Sequence, residues 1–403
     1  MLKVYLVSFL GAFGSVTASA GESLTLPASP QAKAHQRIVL EAATLDPQVN
    51  YAVAVTTEGG RVFEPVQWDA AKKTPYFILP WQASGQTVQA MLVSGHPAAS
   101  SQLIAQKTKS GVELVADREG HRQAVFTYQA EEILPPEVKP VYLRGAFIHP
   151  IYTPGGTLIS DSFAPDHLHH HGIWTAWSHT SFQNRKPDFW NVQQNQGRVA
   201  SLGVTQTWSG LVEAGFEAKM RSYDTKTTPE TAVLDETWVV RCYQTNTPTP
   251  AYVIDLETTQ ENISADPLEL SKHIYGGLGF RGRRDWDAKT PLTFLTSEGD
   301  NDRKKGDGKR ARWFYFGGPA ERKLAGVAIL CHPDNLNAPQ WTRFNPTMPF
   351  VAYTPMHDEP YVVKPKSTFT QKFRFVVFEG KPDPLVLEAY WQGFAQPSKV
   401  SSR

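Results

Sequence analysis

The chain has 403 residues, 41% hydrophobic and 20% charged, with 40 Lys and Arg against 39 Asp and Glu and a formal net charge of +1. That size and mixture fit a globular protein of two domains, or one large domain with an appendage. Charge this close to neutral offers no broad field for nucleic acid or an anionic membrane, and no stretch beyond the N-terminus reaches the ~20 apolar residues of a bilayer span.

The first twenty residues read as a signal peptide: Lys3, an apolar run from Val4 to Phe13, then Ala18-Ser19-Ala20 at the cleavage-site spacing. The expectation is an exported chain, periplasmic or secreted, whose mature part is soluble. Short β-branched and aromatic runs follow, including Arg37 to Leu40, Tyr51 to Val55, Tyr76 to Leu79 and Val88 to Val93. Strands at that spacing, cut by turn residues, predict a small immunoglobulin-like β-sandwich over residues 21–104. The small and polar residues between Gly95 and Gly111 form the boundary, and residues 105–403 make the main β-sandwich domain.

Arg144 and His149 flank an apolar segment, and Tyr152-Thr153-Pro154-Gly155-Gly156 marks a turn. Next comes the strongest chemical signal, Asp166-His167-Leu168-His169-His170-His171-Gly172-Ile173-Trp174; of twelve histidines in the chain, five lie between 167 and 179. If residues 166–171 are extended, His167, His169 and His171 share one side, and three imidazoles at period two can converge on a divalent metal with an open position. Alternatively, one imidazole of His167, His169 or His170 is an acid or base oriented by its neighbours and Asp166. Both readings stay open, as does a structural role in which the rings bond loop carbonyls. Burial without partners would cost about 1–3 kcal/mol per polar group, which weighs toward function beside an apolar strand.

Downstream, Asp188, Trp190 and Asn191 combine a carboxylate, an amide and an indole; with Trp174 they suit a sugar's hydroxyls and apolar ring face, although Trp in a sheet is more often core. Ala232 to Tyr243 alternates as a strand and places Glu236 on the face of Leu234 and Trp238. There it is either a desolvated second acid/base or, if the register slips, an exposed carboxylate. Tyr252 to Thr258 and Phe373 to Phe378 are further strands. The glycines of His273 to Gly282 point to close backbone approach, with His273 and Arg281 able to line a cleft. The run Arg303 to Arg310, after an acidic stretch, is a solvated loop. One helix is expected near the end, capped by Asp383, with Pro384 in its first turn and Val386, Leu387, Tyr390, Trp391 and Phe394 on one stripe. Cys242 and Cys331 each sit among apolar residues and read as separate buried thiols rather than a disulfide.

The ordered motifs His149 to Gly156, Asp166 to Trp174, Pro187 to Asn191, Tyr275 to Arg281 and Cys331 to Asn335 resemble a secreted bacterial family known as methane oxygenase-like, otherwise a domain of unknown function. The resemblance covers roughly residues 120–395. It implies a context of polysaccharide degradation and, by analogy, a galactose-mutarotase-like supersandwich with histidines, arginines and carboxylates on a concave sheet face. It also shifts the weight within the tract to His167, His169 and His170. The resulting expectation is an exported carbohydrate-active protein. Its catalytic residues are Asp166, His167, His169, His170 and Glu236, and its substrate contacts are Arg144, His149, Trp174, Asp188, Trp190, Asn191, His273 and Arg281. A divalent metal on His167, His169 and His171 is optional, and the partner is a saccharide. The alternatives are a non-catalytic glycan-binding protein and the metal-dependent oxygenase that the family resemblance suggests.

Overall fold

The computed structural model describes residues 21–40, 45–95, 101–399 and 401–402; the expected signal peptide lies outside them. The alternation in Ala232 to Tyr243 builds the strand Thr231–Thr245, in which Leu234, Glu236, Trp238, Val240 and Cys242 are all buried. The register is therefore the one that turns Glu236 inward.

This strand lies third in an eight-stranded antiparallel back sheet. Its order is Gly197–Trp208, Glu213–Asp224, Thr231–Thr245, Ala251–Asn262, Thr368–Glu379, Lys323–Cys331, Trp313–Ala320, Thr293–Thr296. The front sheet, also eight-stranded, runs Thr342–Phe344, Phe350–Tyr353, Gly277–Arg281, Ile173–Ala176, Phe147–Ile151, His121–Gln129, Gly111–Arg118, Ser101–Lys107. The fold is thus an all-β two-sheet sandwich. Rings interdigitate across the gap: Tyr128 against Phe216 and Trp238, Phe280 against Phe316, Phe314 against Tyr353. Each such fully buried side chain contributes about 1.5–3 kcal/mol of transfer free energy, so this seam dominates the stability.

The N-terminal unit is a smaller sandwich. A five-stranded sheet (Ser401–Ser402, Ser23–Leu26, Val88–Ser94, Tyr51–Thr57, Gly60–Pro65) faces a three-stranded one (Lys33–Val39, Pro75–Gln82, Gln67–Trp68) over Leu26, Ile38, Val53, Phe77 and Leu79. Ser101–Lys107 already forms the edge of the front sheet, so a boundary at 104/105 would cut a strand. Turn composition marked the linker region but not the point where pairing changes partner.

The helix Pro384–Ala395 forms as its cap and stripe require, with the Asp383 carboxylate accepting from the Leu385 N–H at 2.8 Å. It buries Leu387, Tyr390 and Trp391 against the outer face of the back sheet and packs on Lys33–Val39. The basic run is not all loop: Arg303–Gly306 makes one helical turn capped by Asp302. Cys242 and Cys331 are buried free thiols.

Candidate functional site on the outer face of the front sheet

Alternation along Ile173–Ala176 separates two environments. Thr175 faces the back sheet and donates its hydroxyl to Glu236 at 2.7 Å, so Trp174 projects from the opposite face. There its indole lies over Gly279 of the neighbouring strand, where a Cβ would sit 2.7 Å from the ring. The glycine-dense segment is spaced for this close approach. Arg281 and Phe350, paired in register, share that outer face, and Arg343 projects from it on the next strand.

The histidine tract is not extended. Residues 164–170 form two successive reverse turns, with the His167 N–H donating to the Ala164 carbonyl and the His170 N–H to the His167 carbonyl, both at 2.9 Å. Pro165 supplies the fixed φ favoured at the second position of such a turn. The period-two grouping of His167, His169 and His171 therefore fails. His171 turns into the sandwich edge, stacked on Phe147 at 4.3 Å with its Nδ1 2.8 Å from the Ser162 hydroxyl. Among the described residues no group of three or more His, Cys, Asp or Glu is arranged to hold a metal ion. The triad His167, His169 and His171 is corrected on that ground.

The turns bring a different trio together. His167 stacks on His170 at 4.8 Å, and His169 meets both edge-on, at 5.6 and 4.6 Å. Buried His170 is sandwiched between His167 and Phe350, with Trp174 behind it at 5.2 Å. The fully covered Arg281 guanidinium donates to Asp166 at 2.7 Å, and its other nitrogen lies 3.4 Å from His170 Nδ1. Asp166 itself is 45% exposed and His167 37%, with His167 Nδ1 buried and without a hydrogen-bond partner.

Charge and burial set the protonation states. Desolvation, reinforced by His167 and opposed by Asp188, pulls His169 down to about 4. His170 falls well below the ordinary histidine value for the same first reason, with His169, His167 and Arg281 adding to it. Burial works to raise the Asp166 carboxyl, but the Arg281 hydrogen bond and charge prevail and hold it below its usual value. At neutral pH His169 and His170 are therefore neutral imidazoles beside an ionised carboxylate. A neutral imidazole both donates and accepts.

Other expected residues scatter. His273 joins the patch from Gly276's side, stacked on His179 at 3.7 Å, while Asp188 lies 3.7 Å from His179 Nδ1. Asp188 and Asn191 mainly hold their own turn: the carboxylate accepts from the Trp190 and Asn191 N–H groups and from the Asn191 amide. Trp174 and Trp190 are covered beneath His170, so they fix the floor rather than offer a stacking platform. Arg144 donates to the Gly145 and Thr175 carbonyls at the sheet end, and burial lowers it to about 10, offset by the nearby Glu236. It lines, with His169, His171 and Trp190, a cavity of about 10 Å3, room for roughly one water. His149 is a step away, bonded to Ser160, and desolvation brings it down to about 4. Glu236 is not in the patch at all. It lies between the sheets, its Oε1 accepting from Thr175, Trp238 and Thr258.

Sequence reasoning missed four contributors: His179, Tyr275, Arg343 and Phe350. His179 was signalled by the histidine count and sits in left-handed backbone at φ 52°. Arg343 donates to the Tyr275 hydroxyl at 3.0 Å, and Phe350 lies 6.2 Å from the Tyr275 ring. Strand pairing brings Arg343 and Phe350 to this face, and Tyr275, at the head of the glycine-rich motif, meets them just before its strand begins.

Fold and site together define an all-β sandwich protein with a histidine patch on the outer face of one sheet. The chain belongs to DUF6807, a family of unknown function, whose model matches residues 116–392. No curated protein matches the chain.

Proposed function

We propose that this is an exported protein that acts on saccharides, with the outer-face patch of His167, His169, His170, Asp166 and Arg281 as its active site. One observation carries the reading: three imidazole rings within 4.6–5.6 Å of one another beside the Asp166–Arg281 pair. Neutral imidazoles match hydroxyl groups that must be both donated to and accepted from, and a proton taken by His167 or His169 would be stabilised by Asp166 or Asp188. His179, His273, Tyr275 and Arg343 extend the polar rim for further sugar contacts.

One feature favours glycan binding without turnover as a second reading. The enclosed space beside His169 is too small for a sugar ring, so the ligand would rest on the rim. The test is purified protein assayed on polysaccharide digests, with elemental analysis of the same sample. His169→Ala and His167→Ala should lower turnover about 10²–10⁴-fold. Turnover unchanged in both variants removes the mechanism; saturable binding without product, tolerant of both, selects the binding protein. Stoichiometric copper with oxygen consumption would select the oxygenase that the family resemblance suggests. N-terminal sequencing of exported protein should begin at Gly21.

A further inference from the structure

Two single 3-10 turns, Pro140–Tyr142 and Val192–Gln194, lie against each other at the edge of the histidine patch. Each serves two concavities. Tyr142 and Val192 line the small cavity beside His169, whereas Val141 and Gln193 line a second, larger hollow of about 600 Å3. Leu143, 44% exposed, lines both and forms the ridge between them.

The lining of the larger hollow follows from the local sequence. Pro140 opens the first turn, where its missing N–H costs nothing, and with Val141 contributes apolar surface. Asn195 closes the second turn in left-handed backbone at φ 51°, a conformation that asparagine tolerates. Asn195 and Gln193 both line the hollow, and neither side-chain amide has a partner among the described residues. The third contribution is charged. The Arg198 guanidinium lies 2.9 and 2.8 Å from Glu230, 3.7 Å from Glu132, and over the Tyr223 ring at 4.6 Å. Two partly exposed carboxylates therefore share one guanidinium along this wall.

We propose that the patch and this hollow form one groove, and that its ligand is a neutral oligosaccharide, a chain of rings and not a single sugar. The inference rests on the saccharide reading of the patch and names the class of saccharide. The cavity beside His169 has room for roughly one water, so a ring at the patch lies on the rim. A chain that continues over Leu143 enters a hollow whose volume falls within the roughly 300–1,000 Å3 of ligand sites. Leu143 and Val141 offer apolar surface to ring faces, and the free amides of Gln193 and Asn195 donate and accept, as hydroxyls require. The excess of carboxylate over guanidinium selects against uronate or sulfated chains, whose charges would face Glu132 and Glu230.

Isothermal titration calorimetry on the intact protein, with circular dichroism to verify folding, tests it. The probes are disaccharides and pentasaccharides of the cello-, xylo-, manno- and galacto-series, with oligogalacturonides of the same lengths. In wild type, the pentasaccharide of at least one neutral series should bind about tenfold or more tightly than its disaccharide. Val141→Trp fills the hollow and should abolish that gain. Arg198→Ala removes a surface ion pair of little worth to folding and should reduce it. His169→Ala should weaken both lengths alike and keep their ratio, which separates the hollow from the patch. Equal affinities in wild type overturn the groove and leave a saccharide site at the patch. So does a gain that survives both Val141→Trp and Arg198→Ala, or one confined to oligogalacturonides. Pentasaccharide affinity unchanged in His169→Ala overturns the continuity of hollow and patch. Binding of no series removes the saccharide reading itself, and this inference with it.

Discussion

At the scale of single residues, the tract's four histidines have diverged because each ring meets a different neighbour. His171 is core, clamped by Phe147 and Ser162, while His169 keeps partial access to solvent. Both are held neutral by burial, together with His35, His149 and His170. The consequence for stability has a definite sign. Each folded-state value is depressed, so below the ordinary histidine value near 6.5 the unfolded chain binds more protons. Stability is then full above about pH 6.5 and falls as the pH drops toward 4, by up to about 1.4 kcal/mol per pH unit for each such histidine. Urea unfolding measured between pH 7 and 4 should show this slope, and His171→Phe should flatten it by one proton. A slope unchanged by that substitution would place the ring in solvent. Asp166 works in the same sense at lower pH, since its folded value is also lowered: its contribution is present above the usual carboxylate range and is lost on acidification through it.

At the scale of elements, the strand Thr231–Thr245 and the turn-forming tract show where local pattern succeeds and fails. Alternation put Glu236 on the buried face correctly, but alternation cannot say which sheet covers that face. Glu236 ends between the sheets with three donors on one oxygen and Arg144 near by, an arrangement that ties the front sheet to the back. It is a positioning group for Thr175 and Trp238 rather than a member of the outer patch. Glu236→Ala orphans three donors and leaves Arg144 without its counter-charge, a loss expected near about 3–5 kcal/mol by denaturant titration. Glu236→Gln keeps the acceptor, so it should cost less and, on the proposed function, leave activity at the patch within a fewfold of wild type. A large fall in turnover at unchanged stability would return Glu236 to the chemistry. In the histidine tract, Pro165 was the overlooked signal: it sets a turn where the spacing of histidines alone suggested a strand.

For the whole molecule, the N-terminal unit is bound to the large sandwich by charge as well as by the helix. Arg37 reaches across to Glu213 and within its own unit to Asp69, both at 2.6 Å, and bonds the Tyr243 hydroxyl at 3.1 Å. Glu213 is 1% exposed, so Arg37→Ala leaves its carboxylate buried with the Trp208 indole N–H at 3.0 Å and, as a cation, Arg241 at 3.7 Å. Because Arg37 itself is 22% exposed, the loss should fall near the lower end of the about 3–5 kcal/mol range for broken buried pairs. Calorimetry should show the N-terminal unit melting ahead of the sandwich in this variant. A single transition at the wild-type temperature would show that apolar packing alone holds the junction.

Much of this architecture is local information. Alternation, turn residues and a capped amphipathic stripe determined an all-β chain, a small leading sandwich, the inward face of Glu236 and the final helix, because hydrophobic period and backbone preference act over a few residues. Tertiary structure alone decided which histidines meet. His167, His169 and His170 converge through turns, and Arg281, Arg343 and Phe350 arrive from strands more than a hundred residues away. Those encounters depend on strand order and side-chain burial, which no short window of sequence contains.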